Sequence, residues 1–432
     1  MTTTVIKNLR ILSMEKEDGS LKPPFAGNIL IEGDKISYIG DQLPEYSKLA
    51  EEIDGSGMLA MPGLINAHTH AIMTLFRGWG DDMELMSWLE KRIWPIENKL
   101  TDADAKAGAS LAVAEMIKSG TTAFADMYMF CEQLAEVAAS GGIRASIAAG
   151  ISDNSMDKLP DIVDFACQYR GSADGLITTM LGPHAPFTCN QQFLTMIAAA
   201  GRRYNLPLHI HLAETLTEME IIDERYECTP TQLLADCGFF EGNKSLLAHG
   251  VYLSDEDMDL LAGKDLAIVH NPISNLKLAS GIAPVAEMLD RGLTVALGTD
   301  SACSNNNLDM FEEIKTAAII AKVKDLDPTA IPAAEALQMA ITGGAKALGL
   351  EDVGELKAGM KADLILIDLN RTHFAPEHDL ISHLVYAAHG DDVDTVIVNG
   401  QTLMRSRQLL TMDEEKIIYE ANKTAKRLCY DK

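Results

Sequence analysis

Apolar positions in this chain come as short runs separated by longer amphipathic stretches, and the texture changes near both ends. Residues 1–58 carry brief extended runs with turn punctuation: Val5-Ile6, Ile11-Leu12, and Asn28-Ile29-Leu30-Ile31-Glu32 joined through Gly33-Asp34 to Lys35-Ile36-Ser37-Tyr38-Ile39. The last of these has the pattern of a β-hairpin. The far end has the same texture, with a strand predicted over 362–368 and a second hairpin over 395–404, turning at Asn399-Gly400. Neither end has enough strands for a stable sheet alone, so both are expected to pair into one small β-sandwich.

The middle of the chain alternates short apolar strands with helical stretches, the βα pattern of a parallel sheet. The apolar run Met58 to Ile65 predicts a first buried strand leading into Pro62-Gly63-Leu64-Ile65-Asn66-Ala67-His68-Thr69-His70. Seven more strands are predicted at 121–126, 144–150, 176–182, 206–211, 245–248, 265–270 and 294–300. Helices lie between them, such as 103–119, whose alanines with Leu111, Met116 and Ile117 form an apolar stripe. Eight strands with intervening helices close as a barrel more naturally than they extend as an open sheet. The expected architecture is therefore α/β: a (β/α)8 TIM-type barrel over 59–356, with a composite β-sandwich domain built from 1–58 and 357–432.

In such a barrel every strand end lies on one rim, and the polar residues gather there. The predicted ends carry His68, His70, His184, His209, His211, His249, His270 and Asp300, which accounts for seven of the chain's 11 histidines. Side chains two positions apart on a strand share a face, so His68 and His70 can offer two imidazoles to one ion. Imidazoles with a carboxylate suit a borderline divalent ion such as Zn²⁺, while Fe²⁺ is possible with the same donors. The expected ligands are His68, His70, one histidine of strand five, and Asp300. Depth along the strand favours His211 over His209, which lies one repeat further in. Glu214 shares the pocket, either as a chemical participant or as a carboxylate orienting His211.

Charge and composition narrow the partners. A formal net charge of −27 disfavours nucleic acid. The seven cysteines show no paired spacing, the N-terminus lacks a leader pattern, and no run approaches a membrane span. A cytoplasmic protein without membrane partners is expected. The three tryptophans, Trp79, Trp88 and Trp94, fall in one loop after the first strand, either as a lid over a flat heterocycle or as rings that pin the loop to the barrel.

The segments 62–70, His211-Leu212-Ala213-Glu214-Thr215, Leu247-Ala248-His249-Gly250, His270-Asn271-Pro272-Ile273-Ser274-Asn275 and Leu297-Gly298-Thr299-Asp300-Ser301 resemble the motifs of the amidohydrolase superfamily. The match is best to its 5′-methylthioadenosine/S-adenosylhomocysteine deaminase branch, related to guanine deaminases and triazine chlorohydrolases. The resemblance runs on to Gly354–Leu364, nearly the whole chain. It implies one metal, since strand four ends in Gly182-Pro183-His184 with no lysine to bridge two. It assigns His68, His70, His211 and Asp300 as ligands. It also implies hydrolytic deamination of an adenosine-type nucleoside to the inosine analogue and ammonia, with water activated by the metal.

In that reading Asp300 is the general base, Glu214 the proton donor, and His249 a hydrogen-bond partner of the attacking oxygen. Glu97 takes the ribose hydroxyls and His184 the purine ring, with Trp88 in the substrate-covering loop. The candidate substrates are 5′-methylthioadenosine, adenosine, 5′-deoxyadenosine and S-adenosylhomocysteine. The last is disfavoured because the arginine expected after strand three to pair its carboxylate is Ala149. The alternatives are a guanine deaminase or a triazine hydrolase. A non-enzymatic scaffold is disfavoured because every ligand and Glu214 is present. Family habit suggests a homo-oligomer.

Overall fold

The computed structural model describes residues 3–83, 87 and 89–430. Its central sheet has eight parallel strands: Leu64–Thr69, Thr121–Tyr128, Arg144–Ile151, Ile177–Pro183, Leu208–Leu212, Ser245–His249, Leu266–His270 and Thr294–Leu297. Each pairs with its neighbour in sequence, which is the barrel order. Closure falls on residues around the rim. Thr69 bridges Asp300, the Asp300 N–H donates to the His68 carbonyl at 3.0 Å, and Asn66 Nδ2 donates to the Thr299 hydroxyl at 2.7 Å. Gly298 makes this possible, because a Cβ there would stand 2.8 Å from the His68 nitrogen.

The two ends of the chain share one sheet of nine strands. Leu364–Asp368 runs antiparallel to Met58–Pro62, which joins the C-terminal hairpin Val393–Val398/Gln401–Arg405 to the N-terminal strands Thr3–Ile11, Phe25–Glu32 and Lys35–Gly40. Both expected hairpins are present, with Glu32 opposite Lys35 and Val398 opposite Gln401. Their turns touch: a Cβ on Gly400 would lie 2.0 Å from the Gly33 carbonyl oxygen. This sheet has its own core, including Ile6, Ile11, Ile29, Ile31, Leu364 and Leu366.

The run 58–65, expected as one strand, is two. Met58–Pro62 belongs to the terminal sheet and Leu64–Thr69 to the barrel. The chain passes between the sheets at Gly63, whose N–H donates to the Asp363 carbonyl while the Leu64 N–H donates to that of Gly120. A side chain at Gly63 would meet Thr122 at 2.1 Å, so hydrophobicity stays continuous through a point where pairing changes partner. The expected helix is Asp102–Lys118, capped by Thr101 and Asp104, with Met116 and Ile117 buried and Leu111 half-buried. Residues Glu414–Tyr430 form a helix that packs on it rather than extending the sheet, tied by Lys118–Glu414 and Arg427–Asp104 ion pairs. Among the described residues no helix is long and apolar enough to cross a membrane.

Candidate active site

The His-x-His of strand one and that of strand five meet across the barrel mouth. In Leu208–Leu212 the leucines and Ile210 pack outward with the helices, so His209 and His211 turn inward together. Three imidazoles then have their Nδ1 atoms engaged. His70 Nδ1 donates to the Met127 carbonyl at 2.5 Å, His211 Nδ1 donates to the His184 carbonyl at 2.6 Å, and His68 Nδ1 faces His209 Nε2 at 2.8 Å. Fixing Nδ1 leaves each Nε2 lone pair for the interior.

These lone pairs converge. His70 Nε2 lies 3.3 Å from His211 Nε2, and Asp300 Oδ1 lies 3.3 Å from His68 Nε2 and 3.1 Å from His70 Nε2. Acceptors at such distances repel unless a positive charge sits among them, and buried His68 Nε2 has no hydrogen-bond partner. The potential donor atoms of His68, His70 and His211 lie within 4.8 Å of one another, as do those of His68, His249 and Asp300. The second oxygen of Asp300 is held by the hydroxyls of Ser274 at 2.6 Å and Ser304 at 2.9 Å, which aim the first at the histidines. The donor set fits a divalent metal ion.

The electrostatics agree. Burial pushes His68 down to about 4, and burial with neighbouring histidines holds His211 well below its ordinary value. Burial also opposes charge on His70, yet the Asp300 carboxylate raises it to about 9, so the field at this point favours a cation. Asp300 itself is held well below the usual carboxylate range: burial would raise it, but His68 and His70 outweigh that.

Glu214 and His249 stand beside the group. Glu214 Oε2 is 3.8 Å from His249 Nε2, and His249 Nδ1 donates to the side-chain carbonyl of Asn275 at 2.8 Å. Burial raises the Glu214 carboxyl, which favours its carrying a proton. Ala213, His249 and Asp300, at three rim turns, have φ of 51°, 77° and 61°, a strained conformation for side-chain-bearing residues and one that clusters at functional sites. The His184 ring centroid is 4.8 Å from that of His211, and its Nδ1 meets the Thr188 hydroxyl at 3.0 Å. Glu97 accepts from the Tyr128 hydroxyl at 2.6 Å.

Some expectations change. His209, expected to be satisfied inside the barrel, meets His68 on one side, but its buried Nδ1 has no partner. His270, at the end of strand seven, is buried, with Nδ1 also unpartnered. Of the tryptophans, Trp79 packs edge-on against Tyr430 with Arg92 over its face, Trp94 is 45% exposed, and Trp88 lies outside the described residues. Other residues around the site lie outside the sequence reading. Asp126, at the end of strand two, accepts from the Thr69 hydroxyl at 3.0 Å and the Ala71 N–H at 2.5 Å, bracketing His70. Its position at a predicted strand end was the available signal. Glu218 accepts from the N–H groups of Ala213 and Glu214 at 3.1 and 2.9 Å.

The amidohydrolase family matches residues 59–403. A 5-methylthioadenosine/S-adenosylhomocysteine deaminase of Pelotomaculum thermopropionicum is 48% identical over 433 residues, covering 99% of each chain. A 5′-deoxyadenosine deaminase of Methanosarcina mazei is 47% identical, again covering 99% of each. Among solved structures, an adenosine deaminase from Xanthomonas campestris with bound zinc superposes with a TM-score of 0.91 at 31% identity, covering 99% of this chain and 98% of that one. The match of motif, length and architecture makes this chain a member of the amidohydrolase family.

Proposed function

We propose that this site deaminates an adenosine-type nucleoside at purine C6, giving the inosine analogue and ammonia, and prefers an uncharged 5′ substituent. Family membership and deaminase relatives over the full length make the chain a hydrolytic deaminase. The observation that carries the reading is the convergence of three Nε2 lone pairs and Asp300 Oδ1 beside the Glu214–His249 pair.

His68, His70, His211 and Asp300 would hold one Zn²⁺, whose Lewis acidity would make a water nucleophilic near neutral pH. Asp300 would accept a proton from the attacking water as its oxygen adds to C6, and would then be the group that passes a proton to the departing amine. Glu214 gives a proton to the purine ring nitrogen, and the amino group leaves as ammonia after a further proton transfer. His249, fixed by Asn275, donates to or accepts from the adding oxygen. Glu97 receives the ribose hydroxyls as a carboxylate acceptor, and His184 contacts the purine ring.

The 5′ preference rests on strand three. Ala149 is small and half-buried at its end, and Lys158 is the one cation over residues 149–158, exposed on the following segment. A substrate with a terminal carboxylate finds no buried partner there. Seven free thiols suit a reducing, cytoplasmic setting.

The test is ammonia release, with the ultraviolet change from adenine to hypoxanthine, on Zn²⁺-loaded protein. Adenosine, 5′-deoxyadenosine, 5′-methylthioadenosine, S-adenosylhomocysteine and guanine should be run together. Turnover of the first three, reduced about 10²–10⁴-fold in Glu214→Gln, is expected. Turnover of guanine alone would sink the nucleoside assignment, and a clear preference for S-adenosylhomocysteine would sink the 5′ preference.

A further inference from the structure

We propose that Tyr128 is a positioning residue for sugar recognition, holding Glu97 so that one carboxylate oxygen serves the protein and the other the substrate. This rests on the nucleoside reading above, in which Glu97 receives the ribose hydroxyls.

Strand two ends in Met127 and Tyr128, and these adjacent residues reach two different parts of the site. The Met127 carbonyl accepts from His70 Nδ1 at 2.5 Å, setting the tautomer of an inward-facing imidazole. The Tyr128 hydroxyl donates to Glu97 Oε1 at 2.6 Å. Glu97 closes the four-residue helix Trp94–Glu97, outside the barrel sheet, whereas Tyr128 is 7% exposed on a strand paired with Arg144–Ile151. The Tyr128 ring also lies 6.2 Å from that of His70. One dipeptide therefore links the spacing of the metal-ligating group to that of the carboxylate.

The chemistry gives this link a consequence. A diol is best bound by an ionised carboxylate that accepts from both hydroxyls. Burial of Glu97 favours a proton on it, which would turn an acceptor into a donor, and the Tyr128 hydroxyl opposes this. A phenol donates one hydrogen. Given to Oε1, it orients the carboxylate and leaves Oε2 with its full acceptor capacity. Without it, Glu97 loses its fixed orientation and one of the groups that oppose the proton burial favours. The loss should fall on binding of the sugar, because Tyr128 donates to no group that transfers a proton to the purine.

The experiment compares KM and kcat for adenosine and 2′,3′-dideoxyadenosine in the zinc-loaded wild-type protein, Tyr128→Phe, Glu97→Gln and the double variant. In Tyr128→Phe the KM for adenosine should rise about tenfold, with kcat and the dideoxy KM changed by less than about twofold. Glu97→Gln should erase the same preference for the diol, and Tyr128→Phe should add little to it. Equal falls of kcat on both substrates with lower metal content would overturn the proposal, making Tyr128 a support for the histidines. An unchanged adenosine KM in Tyr128→Phe would overturn it too. Wild-type protein that takes both nucleosides with equal KM removes the sugar role of Glu97 itself, and the role of Tyr128 with it.

Discussion

A joint at one end of the barrel and the site at the other bury polar groups in opposite ways. At the floor, Arg144 enters strand three beneath the terminal sheet and donates to both oxygens of Asp363, at 2.5 and 3.0 Å, and to Asn399 Oδ1 at 3.1 Å. Asp363 also accepts the Asn399 N–H at 2.7 Å. At the rim, His68 Nε2, Asp126 Oδ1, His209 Nδ1 and Asn271 Oδ1 are buried without partners. Buried polar atoms are nearly always satisfied, so the contrast separates a joint from a binding site. The Arg144–Asp363 joint is complete by itself, whereas the rim gathers donor atoms that fit a divalent metal ion.

Removal of the metal should break that contrast most severely. Dialysis against a chelator is expected to abolish turnover, and Zn²⁺ to restore it. An ion that binds only the native rim also stabilises it by mass action, so the melting temperature should fall on chelation and recover on loading. Full activity with no metal by elemental analysis would refute the reading of the rim.

Arg144→Met attacks the other end. Truncating one member of a buried pair leaves the Asp363 carboxylate with no cation and only the Asn399 N–H, which costs about 3–5 kcal/mol. The denaturant midpoint should fall accordingly, while kcat of the folded fraction and its metal content stay unchanged. A variant of normal stability but altered kcat would show that floor and rim are not separable.

What could be read from the sequence divides along the same line. Strand ends are legible because side-chain period and strand order put His68, His70, His211, His249 and Asp300 on one face before any coordinates exist. The hairpins at Gly33-Asp34 and Asn399-Gly400 are legible because turn chemistry is local. Gly63 was not, since nothing in an unbroken apolar run shows where a chain changes its pairing partner. Tyr128 was hidden for a related reason, since it acts on Glu97, 31 positions away; Glu218 and Ser304 act on residues only four or five positions off, through rim turns whose geometry the apolar pattern does not show. Arg144 sits at the start of a predicted strand, but its partner Asp363 is 219 positions away.

The pH dependence of stability gives a smaller effect. Asp309 caps the helix Met310–Asp325 and also accepts the Gly390 N–H at 3.0 Å, joining barrel to C-terminal segment. Burial raises its carboxyl to about 6, against 3.8 for the unburied group. Between those values the native state binds more protons than the unfolded chain, so this contribution is fully present below pH ~4 and is lost as pH rises through ~6, by at most about 3 kcal/mol. In Asp309→Asn that slope should flatten, read as the difference in urea midpoint between about pH 4.5 and 7. A variant that keeps the wild-type slope would assign the effect to other buried carboxyls.

The finest distinction is between a rim residue that reacts and one that aims. Glu218 follows Thr215, the N-cap of helix Leu216–Tyr226, in the T-x-x-E spacing of a capping box. Its carboxylate reaches past the cap to the N–H groups of Ala213 and Glu214, across the strained turn that presents Glu214. Glu218→Gln keeps one acceptor and sets an amide NH₂ against a backbone N–H, so the turn should loosen without losing the helix. We expect kcat to fall about tenfold with KM and metal content nearly unchanged, a loss on the scale of one buried hydrogen bond. The decisive comparison is made in the Glu214→Gln background. If Glu218 acts by aiming Glu214, its substitution costs nothing further once the proton donor is gone. If the same tenfold loss appears there too, Glu218 supports the barrel mouth generally, and the rim is held less specifically than its hydrogen bonds imply.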